Sequence, residues 1–202
     1  MMLFPTQVSE SFIRLDMPNA DISYFPNLFS HEEADNFFEA LKKDIKWKKE
    51  KIKLYGQEHD IPRLTAWYGD SDKNYAYSGI KSKPTVWNPV LLKIKKKVEQ
   101  VSDATFNSVL LNYYRDGSDS VAWHADDEPE LGVNPIIGSV SLGETRQFQM
   151  RHKNGTGKKT IPLGHGSYLL MKGTTQHHWQ HQIPKSKQQL NERINLTFRI
   201  VR

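Results

Sequence analysis

The chain has 202 residues with 37% hydrophobic content, enough for one domain with a substantial core. It has no cysteine, which excludes disulfides and thiolate metal sites, so any metal must be held by histidine and carboxylate. Lys and Arg total 28 against 23 for Asp and Glu, a net charge of +5 that is clustered, which favours a polyanionic partner. No apolar run is long enough to span a bilayer, and the N-terminus lacks a basic region followed by an apolar core. The expected location is therefore cytoplasmic or nuclear, not secreted, with no membrane partner.

Residues 1–20 are unpatterned and are expected to form an extended arm, followed by a short strand over Ile22 to Phe25. Ser30 and Glu33 have the spacing of a capping box, and Ala34, Phe37, Phe38 and Leu41 repeat at helical spacing behind it. Trp47 to Leu54 reads as a strand leading into a hairpin tip at Leu54, Tyr55 and Gly56, where exposed apolar side chains need a cover. Arg63 to Tyr68 is a further strand, and Tyr75 and Tyr77 follow with period two. Asn88 and Pro89 open a second helix, whose buried stripe is Leu91, Ile94, Val98 and Val101. Its other face carries Lys93, Lys95, Lys96 and Lys97, which match the earlier run from Lys46 to Lys53.

From Phe106 onward short strands and turns dominate, at Asn107 to Tyr114, Val121 to Asp126, Ile136 to Leu142, Arg146 to Arg151, Thr160 to Leu163, Ser167 to Met171 and Ile194 to Val201. The expected domain runs over 21–202, with helices and a recognition hairpin in 21–105 and an antiparallel β-sandwich in 106–202.

His124 and Asp126 lie two apart on a predicted strand, so both project to one side. A second histidine would complete a two-histidine, one-carboxylate set with open positions for non-haem Fe(II). The remaining candidates are His31, His59, His152, His165, His177, His178 and His181, and spacing does not choose among the last three. On the C-terminal strand, alternation puts Arg193, Asn195, Thr197 and Arg199 on one face. Directed into a cavity, two arginines suit a small dicarboxylic acid, with Asn112 and Tyr114 on one face of their own strand as an amide and a phenol for the same guest. An ordinary half-exposed strand is the alternative.

His124-x-Asp126, His181, Asn112-Tyr113-Tyr114 and Arg193-x-Asn195-x-Thr197-x-Arg199 together resemble the AlkB family over roughly 20–202. The likeness is nearest the branch that repairs double-stranded DNA. It implies a mainly β, α+β fold with a double-stranded β-helix (jelly roll) core, N-terminal helices and a nucleotide-recognition hairpin. It further implies Fe(II) held by His124, Asp126 and His181, and 2-oxoglutarate as co-substrate held by Asn112, Tyr114, Arg193, Asn195 and Arg199. The implied reaction is oxidative demethylation of bases such as 1-methyladenine and 3-methylcytosine in alkylated DNA, flipped from the duplex and acted on by a monomer. Tyr77 would stack on the base, with Tyr75, Asp127 and Glu128 as further contacts. Leu54, Tyr55 and Gly56 would form a wedge filling the vacated stack, and the lysine runs with Arg63 would hold phosphates. Alternatives are a related dioxygenase of RNA or single strands, a protein side-chain hydroxylase, and a nucleic-acid-binding sandwich without activity.

Overall fold

A computed structural model describes residues 11–54, 57–71, 75–77 and 80–202, and of these the side chains at 52–54, 57, 75–77 and 80–82 are not described. In chain order the strands and helices are β1 (Ile13–Arg14), β2 (Asp21–Phe25), α1 (His31–Asp44), β3 (Lys51–Leu54), β4 (Gln57–Asp60), β5 (Leu64–Gly69), β6 (Tyr75–Tyr77), β7 (Ile80–Ser82), β8 (Thr85–Val86) and α2 (Pro89–Ser102). They continue as β9 (Ser108–Tyr114), β10 (Val121–His124), β11 (Ile137–Gly143), β12 (Arg146–His152), β13 (Lys158–Leu163), β14 (Ser167–Lys172), α3 (Thr175–His178), β15 (Trp179–Ile183) and β16 (Arg193–Arg199).

The last eight strands are shared equally between two sheets, the chain crossing from one to the other at every step but β12 to β13. A large sheet runs β1-β2-β14-β11-β16-β9-β5-β8, and a small one runs β10-β15-β12-β13. Neighbours are antiparallel except β5 and β8. This strand exchange is the expected jelly roll. The arm is not wholly free of the sheet, because Ile13 and Arg14 pair with Tyr24 and Ser23 and add an edge strand.

Each helix begins where its capping chemistry dictates. Ser30 Oγ accepts the Glu33 N–H at 3.2 Å, and the Glu33 carboxylate accepts the Ser30 N–H at 2.9 Å. Asn88 Oδ1 accepts the Leu91 N–H at 2.8 Å, with Pro89 at the first helical position. Ala34 and Leu41 of α1 and Leu91, Ile94 and Val98 of α2 are fully buried against Val109, Leu111, Tyr113, Ile194, Leu196 and Phe198 of the large sheet. Phe37 and Phe38 are only partly buried there. The expected strand from Trp47 begins later, at Lys51, because Trp47 turns onto the Tyr113 ring at 5.1 Å. Lys48 makes an isolated bridge to Thr65.

β9 and β16 are therefore covered on both faces: helices lie behind them, and the small sheet lies in front. All seven residues of each are buried, including the polar ones. The lysines of α2 consequently face away from the space between the sheets. Two are already paired, Lys95 to Glu99 at 2.7 Å and Lys97 to Glu33 at 4.0 Å, so this run does not flank the cleft as expected. β11 ends at Gly143, whose φ of +85° and 2.4 Å clearance to the Glu192 carbonyl leave no room for a side chain. No helix among the described residues is long and apolar enough to cross a membrane.

The double cap on α1 has a measurable value. Ser30→Ala is expected to cost about 1 kcal/mol and to lower the melting temperature by a few degrees, read by thermal denaturation.

Candidate metal and co-substrate site

The inward faces of β9 and β16 meet those of β10, β12 and β15 in a narrow pocket of about 40 Å³. His124, Asp126 and His181 line it, and their ligand atoms all lie within 4.8 Å of one another. β10 pairs with β15 so that His124 lies opposite His181. Their rings meet edge-on with centroids 4.3 Å apart. Asp126 lies past the end of β10, in a loop, and turns back beneath them. Its Oδ2 is 3.6 Å from His181 Nε2. Two ligand atoms each about 2.1 Å from one ion lie roughly 3.0–3.6 Å apart for bond angles of 90–120°, so this spacing fits a shared metal.

The protonation states suit the same role. Burial would raise the Asp126 carboxyl pKa, but the Arg199 guanidinium, then His181 and His124, hold it well below the usual carboxylate range. Arg199 Nη2 donates directly to Asp126 Oδ1. Burial, followed by the neighbouring His124, pushes His181 down to about 3, although Asp126 opposes this, so the imidazole is neutral at pH 7. The His124 Nδ1 atom lies 2.8 Å from the Ala122 carbonyl, which can only accept. Nδ1 therefore carries the proton and Nε2 keeps its lone pair for a metal. Phe148 stacks on His181 at 5.0 Å and sets that ring's plane.

A second cluster, His31, Asp35 and His165, has equally close ligand atoms but the wrong protonation. His165 Nδ1 accepts the Gly143 N–H at 2.7 Å. Its proton is therefore on Nε2, which lies 3.2 Å from Asp35 Oδ1 outside hydrogen-bond geometry and where a metal ligand would need a lone pair. This cluster is a hydrogen-bonded surface group.

Deeper in the pocket lies Arg193, 1% exposed, stacked 5.0 Å above the Tyr114 ring. Its Nη2 donates to Ser141 Oγ, while Nε and Nη1 have no hydrogen-bond partner among the described residues. Burial draws its pKa down to about 10, and Arg146 lowers it further while Tyr114 opposes. The pocket wall thus carries Arg63, Arg193 and Arg199 against a single carboxylate, Asp126. A buried cation without a counter-ion is costly, and a dianion would balance the excess.

The structure brings Asn112, Tyr114, Asn195 and Thr197 to the same wall. Asn195 is committed to the protein: Nδ2 donates to Ser139 Oγ and the Val140 carbonyl, and Oδ1 accepts from Thr197. Arg63, expected at phosphates, is instead 5% exposed and donates to Asn112 Oδ1 at 2.6 Å and the Ser120 carbonyl at 3.1 Å. Arg146 was not anticipated. It is buried beside the pocket and binds the carbonyls of Asp116, Asp119 and Pro184, tying two loops together. Nothing in its sequence context distinguishes it from a surface arginine of a strand.

Outside the metal triad a wider cleft of about 720 Å³ is lined by Trp123, His124, Glu128, Pro184 and Lys185, with His59 and Asp60 of the β3–β4 hairpin at its rim. Glu128 Oε2 is buried there without a hydrogen-bond partner among the described residues. Asp127, expected to face a base, does not line this cleft, and its carboxylate is held by Lys153 at 3.2 Å. The side chains of Tyr75, Tyr77 and Leu54, and all of Tyr55 and Gly56, lie outside the described residues.

A jelly roll with two histidines, one carboxylate and a cationic inner pocket defines a non-haem metal oxygenase architecture. Residues 21–199 match the model of the 2OG-Fe(II) oxygenase superfamily. The chain is 46% identical over 186 residues to the alpha-ketoglutarate-dependent dioxygenase alkB homolog 3 of Bos taurus, covering 87% of this chain and 64% of that protein. It is 41% identical over 183 residues to the human DNA oxidative demethylase ALKBH2, covering 85% of this chain and 70% of that one. The solved structure of OsALKBH1 superposes with a TM-score of 0.64 at 18% identity, over 94% of this chain and all of that one, and shares the fold. The chain belongs to the AlkB family of 2OG-Fe(II) oxygenases. It spans 64% to 66% of the length of the alkB homolog 3 relatives from cattle and human.

The unpaired charge on Arg193 makes an expected outcome specific. Arg193→Met should leave the ligand-free melting temperature unchanged or higher, since it removes an unbalanced buried cation. The rise that 2-oxoglutarate produces in the unmodified protein should disappear in the variant.

Proposed function

We propose that this protein is an Fe(II)- and 2-oxoglutarate-dependent dioxygenase that removes N-methyl groups from alkylated DNA bases. The observation that carries the reading is the juxtaposition of the His124, Asp126 and His181 triad with the uncompensated guanidinium of Arg193. Fe(II), 2-oxoglutarate and O2, when bound, would supply the oxidation: O2 is the oxidant, one of its oxygen atoms leaving in succinate as 2-oxoglutarate loses CO2 and the other entering the N-methyl group, which departs as formaldehyde.

The residues divide the task by depth. His124 Nε2, Asp126 and His181 Nε2 hold the metal. Arg199 keeps Asp126 ionised, so the ligand set carries a negative charge without a proton to lose. Arg193, whose Nε and Nη1 have no hydrogen-bond partner among the described residues, takes a carboxylate of 2-oxoglutarate through an open N–H of its guanidinium. Tyr114 supports Arg193 from below, and Asn112, braced by Arg63, shapes the wall. Asn195 acts through Ser139 and Thr197 rather than on the acid itself.

The difference in size between pocket and cleft supports this division of the guests. The inner pocket suits a small acid, and the outer cleft falls within the range of about 300–1,000 Å³ for organic ligands such as a nucleobase. A base methylated on its pairing edge is cationic and cannot pair normally, so it leaves the stack at reduced cost. Glu128 offers such a base a carboxylate oxygen that no described residue uses. Of the two acidic residues after Asp126, Glu128 is therefore the base contact. Tyr77 and Tyr75 are assigned as stacking and flanking contacts by the family resemblance.

Double-stranded DNA is the proposed form of the substrate. The β3–β4 hairpin stands at the rim of the cleft with His59 and Asp60, and the wedge that the family resemblance assigns, Leu54, Tyr55 and Gly56, belongs in sequence to the same hairpin. Lys48 and Lys49 precede this hairpin and supply charge for the phosphates.

Succinate release against matched single- and double-stranded oligonucleotides carrying 1-methyladenine or 3-methylcytosine tests the reading. Turnover is expected with both lesions and greater on duplexes. Glu128→Gln should reduce kcat/KM on these cationic bases by about 10-fold or more, consistent with loss of roughly 1.5–3 kcal/mol from a charged hydrogen bond. No succinate with any methylated DNA would sink the proposal. Greater activity on single strands would remove the wedge.

A further inference from the structure

Asp126 is the only proposed metal ligand that does not lie on a strand. β10 stops at His124, and its register is already irregular between Val121 and His124. No ladder hydrogen bond holds the Asp126 backbone. The position is instead set by one buried side chain: Gln176 Oε1 accepts the Asp126 N–H at 3.0 Å.

Gln176 is 1% exposed and lies in the short helix α3, five residues before His181. Its side-chain Nε2 faces Met171 Sδ at 3.5 Å, which fixes which end of the amide turns toward Asp126. Its backbone carbonyl accepts from Lys153 Nζ at 3.0 Å, and the same ammonium holds the Asp127 carboxylate at 3.2 Å. Gln176 thus joins the Asp126–Asp127 loop to the segment that carries His181, with Lys153 closing the loop from the end of β12.

We infer that Gln176 is a positioning residue of the metal site, clamping the Asp126 main chain to the α3–β15 unit, with Lys153 as the outer half of the clamp. The inference rests on the metal role proposed above for His124, Asp126 and His181. Its physical reason is that a loop ligand must be held before the ion arrives. Without the clamp, ordering the loop would be charged against metal affinity. His124 and His181 need no such device, because the sheet pairs them directly. The Arg199 contact to the carboxylate cannot replace it, since it restrains the side chain and leaves the peptide free to swing.

The test is a Mn(II) titration of the full chain, together with the melting temperature with and without Mn(II). Gln176→Met keeps the volume and removes the acceptor. It should lower Mn(II) affinity by about 10- to 100-fold while the metal-free melting temperature changes little. Gln176→Glu keeps an oxygen facing the Asp126 N–H and should bind Mn(II) at least as tightly as the unmodified protein. Unchanged affinity in Gln176→Met, or an equal loss in Gln176→Glu, would overturn the inference. Lys153→Met provides the test if Gln176→Met does not fold. Lys153 is partly exposed and buries no new group, and its loss should cost about 3-fold in affinity, with no change counting against the clamp. Absence of Mn(II) binding by the unmodified protein would refute the metal triad itself, a result distinct from failure of the clamp.

Discussion

The contact between Arg199 and Asp126 is the interaction on which the rest of the site depends. Both side chains are almost entirely excluded from solvent. Separated, each would be an isolated charge in the interior, at a cost of several kcal/mol. Together they keep an ionised carboxylate beside the neutral imidazole of His181 and beside His124, whose Nδ1 faces a carbonyl, a pattern that suits a divalent metal. The contact also settles which way β16 must face, since Arg199 reaches Asp126 only from the side of the sheet directed at β10 and β15. Arg193, on the same face by alternation, is then forced inward with two guanidinium nitrogens that have no hydrogen-bond partner among the described residues.

The large sheet divides two kinds of chemistry. Its back face is apolar and packs on α1 and α2. Its front face at β9 and β16 is polar, buried and directed at the small sheet. Tyr113 and Tyr114 illustrate the division. The hydroxyl of Tyr113 bonds Glu192 behind the sheet, while the ring of Tyr114 carries Arg193 in front of it. Lys42 also pairs with Glu192, so the start of β16 is held from behind directly next to the arginine it presents forward. The division also explains why the lysines of α2 have no part in the cleft: the helix that bears them lies behind the wall.

Much of the fold is legible in the chain. The capping residues Ser30, Glu33, Asn88 and Pro89 mark the two long helices, and turn-bounded runs after Phe106 mark most of the strands. The strand of Trp179–Ile183 is hidden, because three histidines and two glutamines within His177 to Gln182 mask its alternation. Arg63 is misread in the same way, since an arginine at the start of a strand looks like a phosphate contact until its burial against Asn112 is seen. Asp127 and Glu128 are interchangeable in sequence. They are separated only by Lys153, which occupies one carboxylate and leaves the other at the cleft.

The sequence by itself determined the side-chain inventory: histidine and carboxylate as the available metal ligands, two arginines on one face of the last strand, and Asn112 and Tyr114 on one face of another. These follow from residue type and a period of two, both local properties. Only the tertiary structure brings His181 within 4.8 Å of His124 and Asp126, because β15 pairs with β10 so that the two rings lie opposite each other. At His165, by contrast, the Gly143 N–H puts the imidazole proton on Nε2, where a metal would need a lone pair. Likewise, that the polar face of β16 lines a pocket rather than meeting water depends on a second sheet, whose strands lie far away in the chain. Proximity and burial between distant segments set protonation and charge balance, and no local pattern contains them.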